Sequence, residues 1–432
     1  MWIADTFTSD AGWSHLESLV DVGDRMAGSD GERAAAEATL DAFTDAGARE
    51  ARFARFDIQG WSRGESHVDA GGETHDCIAL PRSPTGETTG ELVDLGHGLP
   101  EDFADADLDG KVVMVASNVP SWYDRFPHRR EKYYRAVEAG AAAFVFRNHV
   151  DGCLPPTGSV GTDEDPIGEI PAVGVSKEVG SRLGRRFDGE PVTVGVDAEI
   201  EPATSQNVHA ELGPETDEHV LVTSHLDAHD IAEGAMDNGF GTATIVEVAN
   251  ALAQREDELD VRVEFVAFGA EEVGLVGSEY CARTTDLDDV RAVVNVDGVG
   301  QGRTLSLATH GFDPLGDAAR AVGEHFDHPV EVVPKQRPHS DHWQFVRRGV
   351  PGYMVASRKD GDDRGWGHTE ADTLDKLDVR DLRENAILLT ELVARLANAG
   401  FSCPRRPPAE IAAALERQGD AEAMKVTGDW PF

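Results

Sequence analysis

Basic residues are scarce in this chain. Lysine and arginine number 39 against 80 aspartates and glutamates, for a formal net charge of −41. Lysine stands only at Lys111, Lys132, Lys177, Lys335, Lys359, Lys376 and Lys425. A surface of this sign repels a polyanion, so nucleic-acid binding is excluded as a main role. The acid is spread over every segment rather than gathered in a tail. That reads as a solvated surface suited to very high salt, where short-range screening makes the self-repulsion tolerable. Regular apolar runs, in a composition that is 40% hydrophobic, exclude an acidic disordered chain.

Cysteine is scarce too. Cys77, Cys153, Cys281 and Cys403 are scattered without CxxC spacing and read as free thiols of a reducing compartment. No apolar run reaches the length of a membrane span. The start, MWIADTFTSD, lacks a basic region followed by an apolar core, so no signal peptide is expected. The expectation is a soluble, cytoplasmic protein that contacts neither nucleic acid nor membrane, with its oligomeric state, homo-oligomer included, left open.

A length of 432 residues suits two domains, or one domain with a large insertion. The texture divides the chain at 1–60, 61–203, 204–400 and a tail, 401–432. Residues 12 to 47 read as two helices, with capping boxes at Ser14/Glu17 and Ser29/Glu32. Arg25, Gly28 and Ser29 form the turn between them, a structural role. From Trp61 to Ala203 the segments are short and β-like, separated by glycine and proline. This stretch holds the one basic cluster, Arg125 to Arg135, which reads as a helix face balancing nearby acid.

From Asn207 onward apolar runs alternate with helical patterns. Strands are expected at 220–223, 261–268, 293–296 and 351–356, and helices at 242–253, 313–324 and 379–397. This predicts an α/β domain with a mostly parallel sheet flanked by helices on both faces. In such sheets the site lies beyond the carboxyl ends of the strands. His225 and Asp227 end the first run, and Asp237 follows in a glycine-rich loop. Glu271-Glu272 follow the second run and Asp297 the third. His368 follows the last, after a loop containing Gly361, Gly365 and Gly367. Independent surface carboxylates have no reason to follow four separate apolar runs. Two imidazoles and three carboxylates, with Asp237 bridging, suit a pair of zinc ions about 3.5–4 Å apart; manganese or cobalt is compatible with the same donors. The remaining carboxylate of the Glu271-Glu272 pair is then free to act as a base.

The stretches SHLDAH (224–229), GAMDNGFGTA (234–243), FGAEEVGLVGS (268–278), NVDGVG (295–300), SDHWQFVRRGVP (340–351) and HTEADT (368–373) resemble the co-catalytic di-zinc aminopeptidases of metallopeptidase family twenty-eight. The resemblance runs from about Asn207 to Ala397. DGKVVMV and EAGAAAFVF give residues 61–203 a weaker resemblance to a mostly-β protease-associated domain, a common insertion in that family. The resemblance implies a zinc exopeptidase-like fold and two zinc ions. His225, Asp237 and Asp297 would bind one ion, and Asp237, Glu272 and His368 the other. Asp227 would orient His225, and Glu271 would be the general base and later the acid. Gly239-Phe240 stand where the family usually has Ala-Ser. The Asp237–Asn238 bond stands where the family often has a cis peptide. His342, or else Tyr353, is the candidate oxyanion donor, with Ser340 and Asp341 behind His342 and Asp372 behind His368.

The implied activity is an aminopeptidase acting on short peptides. A metallocarboxypeptidase or dipeptidase with the same chemistry is the alternative; it needs a cation for the substrate carboxylate, with Arg347, Arg348 and Arg358 available. The complete two-metal set argues against a glutaminyl cyclase. A non-catalytic family member that only binds peptides is the remaining alternative.

Overall fold

The structure is a computed structural model that describes residues 2–162, 166–358 and 365–432. Gly361 lies outside the described residues. The chain forms two compact units. One comprises Met1–Ile58, Thr204–Asp362 and Asp372–Ala414; the other comprises Gln59–Ala203, Asp363–Ala371 and Leu415–Phe432.

The first unit is built on a sheet whose strands lie in the order Val330–Val333, Leu305–Ala308, Gly352–Ser357, Val290–Val296, His219–His225, Arg262–Phe268 and the carboxyl end of Pro191–Leu212. The expected mostly parallel arrangement is present. His219–His225 pairs in parallel with strands on both sides, and Val290–Val296 pairs in parallel with Gly352–Ser357. Antiparallel pairing occurs at Arg262–Phe268 against 208–212, and at Leu305–Ala308 against Gly352–Ser357. Every residue of His219–His225 is buried, the pattern of a strand covered on both faces. Helices Phe240–Ala253, Asp313–Phe326 and Val379–Leu396 fall where the apolar periodicity placed them. The short strands 305–308 and 330–333 and the helix Val276–Thr284 carry too little periodicity to be read from sequence.

At the amino terminus, Ser29 caps Asp30–Asp45 by accepting the Glu32 N–H at 2.9 Å. Ser14 does not cap. It lies inside Ala11–Val22, where its N–H donates to the Asp10 carbonyl at 2.8 Å.

The second unit carries the strands Gly86–Asp94, Val112–Ala116, Ala143–Arg147 and Ala172–Val175, paired in parallel in its middle. Helices Arg129–Glu138 and Lys177–Phe187 accompany them. Its core gathers Leu80, Phe103, Val113, Val115, Tyr133 and Phe144. The basic cluster is consumed internally. Arg125 and Arg135 pair with Glu131, Arg130 pairs with Asp429, and the buried Lys132 ammonium donates to the Ala116 carbonyl at 2.7 Å. Among the described residues no helix is long and apolar enough to cross a membrane, and the four cysteines are free.

Candidate metal centre

The register of the three central strands brings the site together. His225 lies opposite Phe268, and Thr223 lies between Val266 of 262–268 and Asn295 of the third strand. His225, the loop bearing Glu271 and Glu272, and Asp297 therefore meet at one carboxyl edge. Ligand atoms of His225, Glu271 and Asp297 lie within 4.8 Å of one another. His225 Nε2 is 3.4 Å from Asp237 Oδ1 and 3.8 Å from Asp297 Oδ1. Two donors about 2.0–2.1 Å from one tetrahedral zinc lie roughly 3.3–3.4 Å apart, so these atoms fit a shared ion.

Each donor is aimed by a separate device. The His225 Nδ1–H donates to the main-chain carbonyl of Asp227 at 3.1 Å, which leaves Nε2 to face the carboxylates. Asp227 thus orients His225 through its backbone, while its carboxylate, 3.6 Å from Nδ1, does something else. Asp227 Oδ1 accepts the Glu271 N–H and Oδ2 the Glu272 N–H, both at 3.1 Å. The amide just before them, that of Ala270, donates to Glu32 at 3.1 Å. Three consecutive amides of the Glu271-Glu272 loop are therefore held by two buried carboxyls.

Asp297 is aimed by a buried relay. Thr223 Oγ1 donates to Asn295 Oδ1 at 2.7 Å, Asn295 Nδ2 donates to Ser340 Oγ at 2.8 Å, and Ser340 donates to Asp297 Oδ2. Asp297 Oδ1 is left toward His225. Ser340, expected behind His342, serves Asp297 instead. Asp372 likewise holds the Asp237 loop, accepting the Met236 N–H at 2.6 Å and the Asp237 N–H at 3.0 Å. The Asp237–Asn238 peptide is cis, and Asn238 Nδ2 donates to the Val296 carbonyl at 2.9 Å. Gly241 is required here: a Cβ would stand 2.1 Å from Asn238 Oδ1 and 2.5 Å from the Val296 carbonyl oxygen. The Gly239-Phe240 departure leaves the helix start intact, with Phe240 buried.

Three residues of this centre were missed as such in the sequence. Arg25, assigned only a turn, is fully buried. Its guanidinium donates to the carbonyls of Leu19, Leu226, Glu233 and Gly234 and so pins both ends of the loop after His225. Glu32 does not close a capping box. Its carboxyl accepts from the Gly28 N–H at 2.7 Å and from Ser205 Oγ at 2.7 Å, besides Ala270. His229 brings Nε2 to 2.9 Å from Glu272 Oε2, with both side chains 5% exposed. Only the last carried a signal, as the second histidine of SHLDAH.

The expected oxyanion donors are corrected. His342 is fully buried, stacked on His310 with centroids 4.7 Å apart, and its Nε2 donates to the Arg337 carbonyl at 2.9 Å. Burial pushes it down to about 3, so the ring is neutral and has only that one N–H to donate. The Tyr353 hydroxyl donates to the Leu315 carbonyl at 2.6 Å. Neither has a polar hydrogen left for the centre. His368, at φ 56°, lies in the segment grouped with the second unit, where its carbonyl accepts the Thr157 N–H at 2.8 Å.

Burial and like charge dominate the electrostatics. Burial first, then Asp341, Glu272 and Asp297, push Glu271 well above the carboxylate range, against the pull of His225. For His225, burial disfavours the cation, but Glu271, Asp227, Asp237 and Asp297 outweigh it and raise the imidazole well above its ordinary range. A carboxylate cluster that must retain protons in the absence of a cation is matched to a multivalent one.

A mostly parallel sheet with these donors at its carboxyl edge defines an α/β domain of the zinc exopeptidase kind. Residues 207–393 match the model of Peptidase family M28, and residues 88–183 match that of the PA domain. The chain thus contains a Peptidase family M28 domain together with an inserted PA domain. It is 29% identical over 336 residues to Aminopeptidase YwaD of Bacillus subtilis, covering 72% of this chain and 68% of that protein. It superposes on an aminopeptidase from Aneurinibacillus sp. strain AM-1 with a TM-score of 0.69 and 26% identity, over 94% of this chain and 98% of the other. It shares the fold of BSAP, a zinc aminopeptidase from Bacillus subtilis, with a TM-score of 0.71 and 24% identity over 92% and 97% of the two chains.

Proposed function

We propose that this chain is a zinc-dependent aminopeptidase that releases N-terminal residues from peptides, with two ions at the carboxyl edge of its sheet. The observation that carries the reading is the convergence of His225, Asp237 and Asp297 beside Glu271, each held by its own buried partner. The names of the relatives, aminopeptidases at 26–29% identity, support the same activity. His225, Asp237 and Asp297 would hold one ion; Asp237, Glu272 and His368 would hold the other. Bound zinc supplies Lewis-acid polarisation of the scissile carbonyl and acidification of water.

The chain's own residues supply the rest. Glu271, fixed through its amide by Asp227, takes the proton of the attacking water and returns it to the leaving amine, a transfer worth roughly 10²–10⁴-fold. Arg25 and Asp372 keep the Asp237 loop in place through both turnover steps. A carboxypeptidase would need a cation for the substrate carboxylate, and two of the three candidates are engaged elsewhere. Arg347 and Arg348 are both paired with Glu279, each at 2.7 Å. A purely binding role is disfavoured because the base and every ligand are retained.

The test is hydrolysis, in high salt, of amino-acyl p-nitroanilides, their N-acetylated forms and dipeptides, with and without chelator. Chelator-sensitive cleavage that requires a free amino terminus is the expected result. Cleavage of blocked peptides with a free carboxylate would make the enzyme a carboxypeptidase. No cleavage by zinc-loaded protein would leave a binding role.

A further inference from the structure

We propose that His229 is a further metal ligand, offering Nε2 to the ion held by Glu272; the proposal rests on the two-ion reading above. His229 stands four residues beyond His225 in the loop that leaves the central strand. That loop is clamped. The Ala228 N–H donates to the Arg25 carbonyl at 3.1 Å, and the Arg25 guanidinium holds the carbonyls of Leu226, Glu233 and Gly234. Gly234, at φ 57°, lets the chain close over Arg25; a Cβ there would stand 2.3 Å from the Ala228 Cβ. The imidazole is thereby fixed on a backbone with little freedom.

Its target is equally fixed. Glu272 is anchored through its amide by Asp227 Oδ2, and its Oε2 lies 2.9 Å from His229 Nε2. Donors sharing a tetrahedral zinc lie about 3.3–3.4 Å apart, so a shift of a few tenths of an ångström admits the ion between them. Imidazole with carboxylate selects zinc or cobalt over magnesium or calcium. With His229 beside Glu272, this ion would gain an imidazole ligand that the ion at His225 lacks, and a zinc site with more protein ligands is the more closed one. The pair would then be unequal, one ion retained and the other exchanging.

The decisive variant is His229→Gln, because the glutamine amide reaches where Nε2 stands and still donates to Glu272, but does not ligate zinc. Metal content after dialysis against chelator, competitive zinc titration and the visible spectrum of the cobalt-substituted protein are compared with wild type. The expected result is loss of the retained equivalent, at least a tenfold weaker affinity for it, and an altered cobalt spectrum. Two ions bound at wild-type affinity with an unchanged spectrum would reduce His229 to a hydrogen-bond partner of Glu272. X-ray absorption at the zinc edge of the unaltered protein gives an answer independent of folding. It should count about one and a half imidazoles per ion, and a count of about one overturns the proposal. Failure of the wild-type protein to bind any divalent ion would instead sink the two-ion reading itself.

Discussion

The carboxylate of Asp227 receives the main-chain N–H of Glu271 at 3.1 Å, and its second oxygen receives that of Glu272. The candidate base and the neighbouring ligand are therefore held by their backbone, through a residue 44 positions earlier. Glu32 completes the arrangement from the amino-terminal helix by taking the preceding amide, that of Ala270.

Asp227→Asn replaces one acceptor by a donor facing an amide. One of the two amides loses its partner, which costs about 1–3 kcal/mol. Activity is expected to fall roughly 10–100-fold, the usual effect of removing a residue that orients metal ligands. His225 keeps its contact with the Asp227 carbonyl, so zinc should still bind. Elemental analysis beside steady-state kinetics checks both parts.

Glu32→Gln retains the side-chain volume and loses one accepted bond among Gly28, Ser205 and Ala270. The fold should survive with a loss of about 1–3 kcal/mol. Because the disturbed amide adjoins Glu271, kcat should fall while KM changes little. Equal kcat in the variant and wild type would confine Glu32 to packing.

Glu271→Gln should bind zinc and melt like wild type, yet lose roughly 10²–10⁴-fold in kcat. Melting curves, metal content and turnover of an amino-acyl p-nitroanilide test this together. Activity near wild type would remove Glu271 from the proton transfers.

The metal-free protein has a calculable response to pH. Burial, with Asp227 adding, pushes Glu32 up to about 8; burial pushes Asp341 and Asp372 up to about 7. The ordinary values of these carboxyls are 4.5 and 3.8, so between those values and about 7–8 the native state binds protons that the unfolded chain has released. Stability therefore falls as pH rises through that window. Glu264 behaves oppositely. Burial opposes its charge, but His209, His219 and Arg52 hold it down to about 2, a contribution lost as pH falls from 4.5 toward that value. His15 and His342, which burial pushes down to about 3 from an ordinary 6.5, act in the opposite direction up to that value, so the thermal midpoint of chelated protein should fall most clearly between about pH 6.5 and 8, and again below about pH 4.5. Glu264→Gln should flatten the acid limb, and a midpoint that climbs steadily from pH 5 to 8 would contradict the assignment.

With a net charge of −41, the folded state should depend on screening. At molar potassium chloride the Debye length is about 3 Å, against about 30 Å at 0.01 M. The expected outcome is unfolding or aggregation on dilution into low salt, seen as a falling melting temperature. A melting curve indifferent to salt would show that the acidic surface does not require it.

The sequence by itself determined the alternation of apolar runs with helical periodicity, and hence a mostly parallel sheet. It also put the candidate site residues His225, Glu271, Glu272 and Asp297 at or just after strand ends, with Asp237 in a following loop, because a polar group that follows a buried run is visible along the chain. What holds those residues was not visible. Arg25, Glu32 and Ser340 lie far from them in sequence; Ser340 stands in a stretch that pointed to His342 instead, and Ser29 with Glu32 satisfies a capping pattern equally well. Only the tertiary structure decided that Glu32 turns away from the cap into the Glu271 loop. It also decided that Asp227 serves two amides, and that the hydrogens of His342 and Tyr353 are spent on carbonyls. The physical reason is the same in each case. A buried polar group must find a partner, and which partner lies within reach is set by strand register and helix packing rather than by neighbours in the chain.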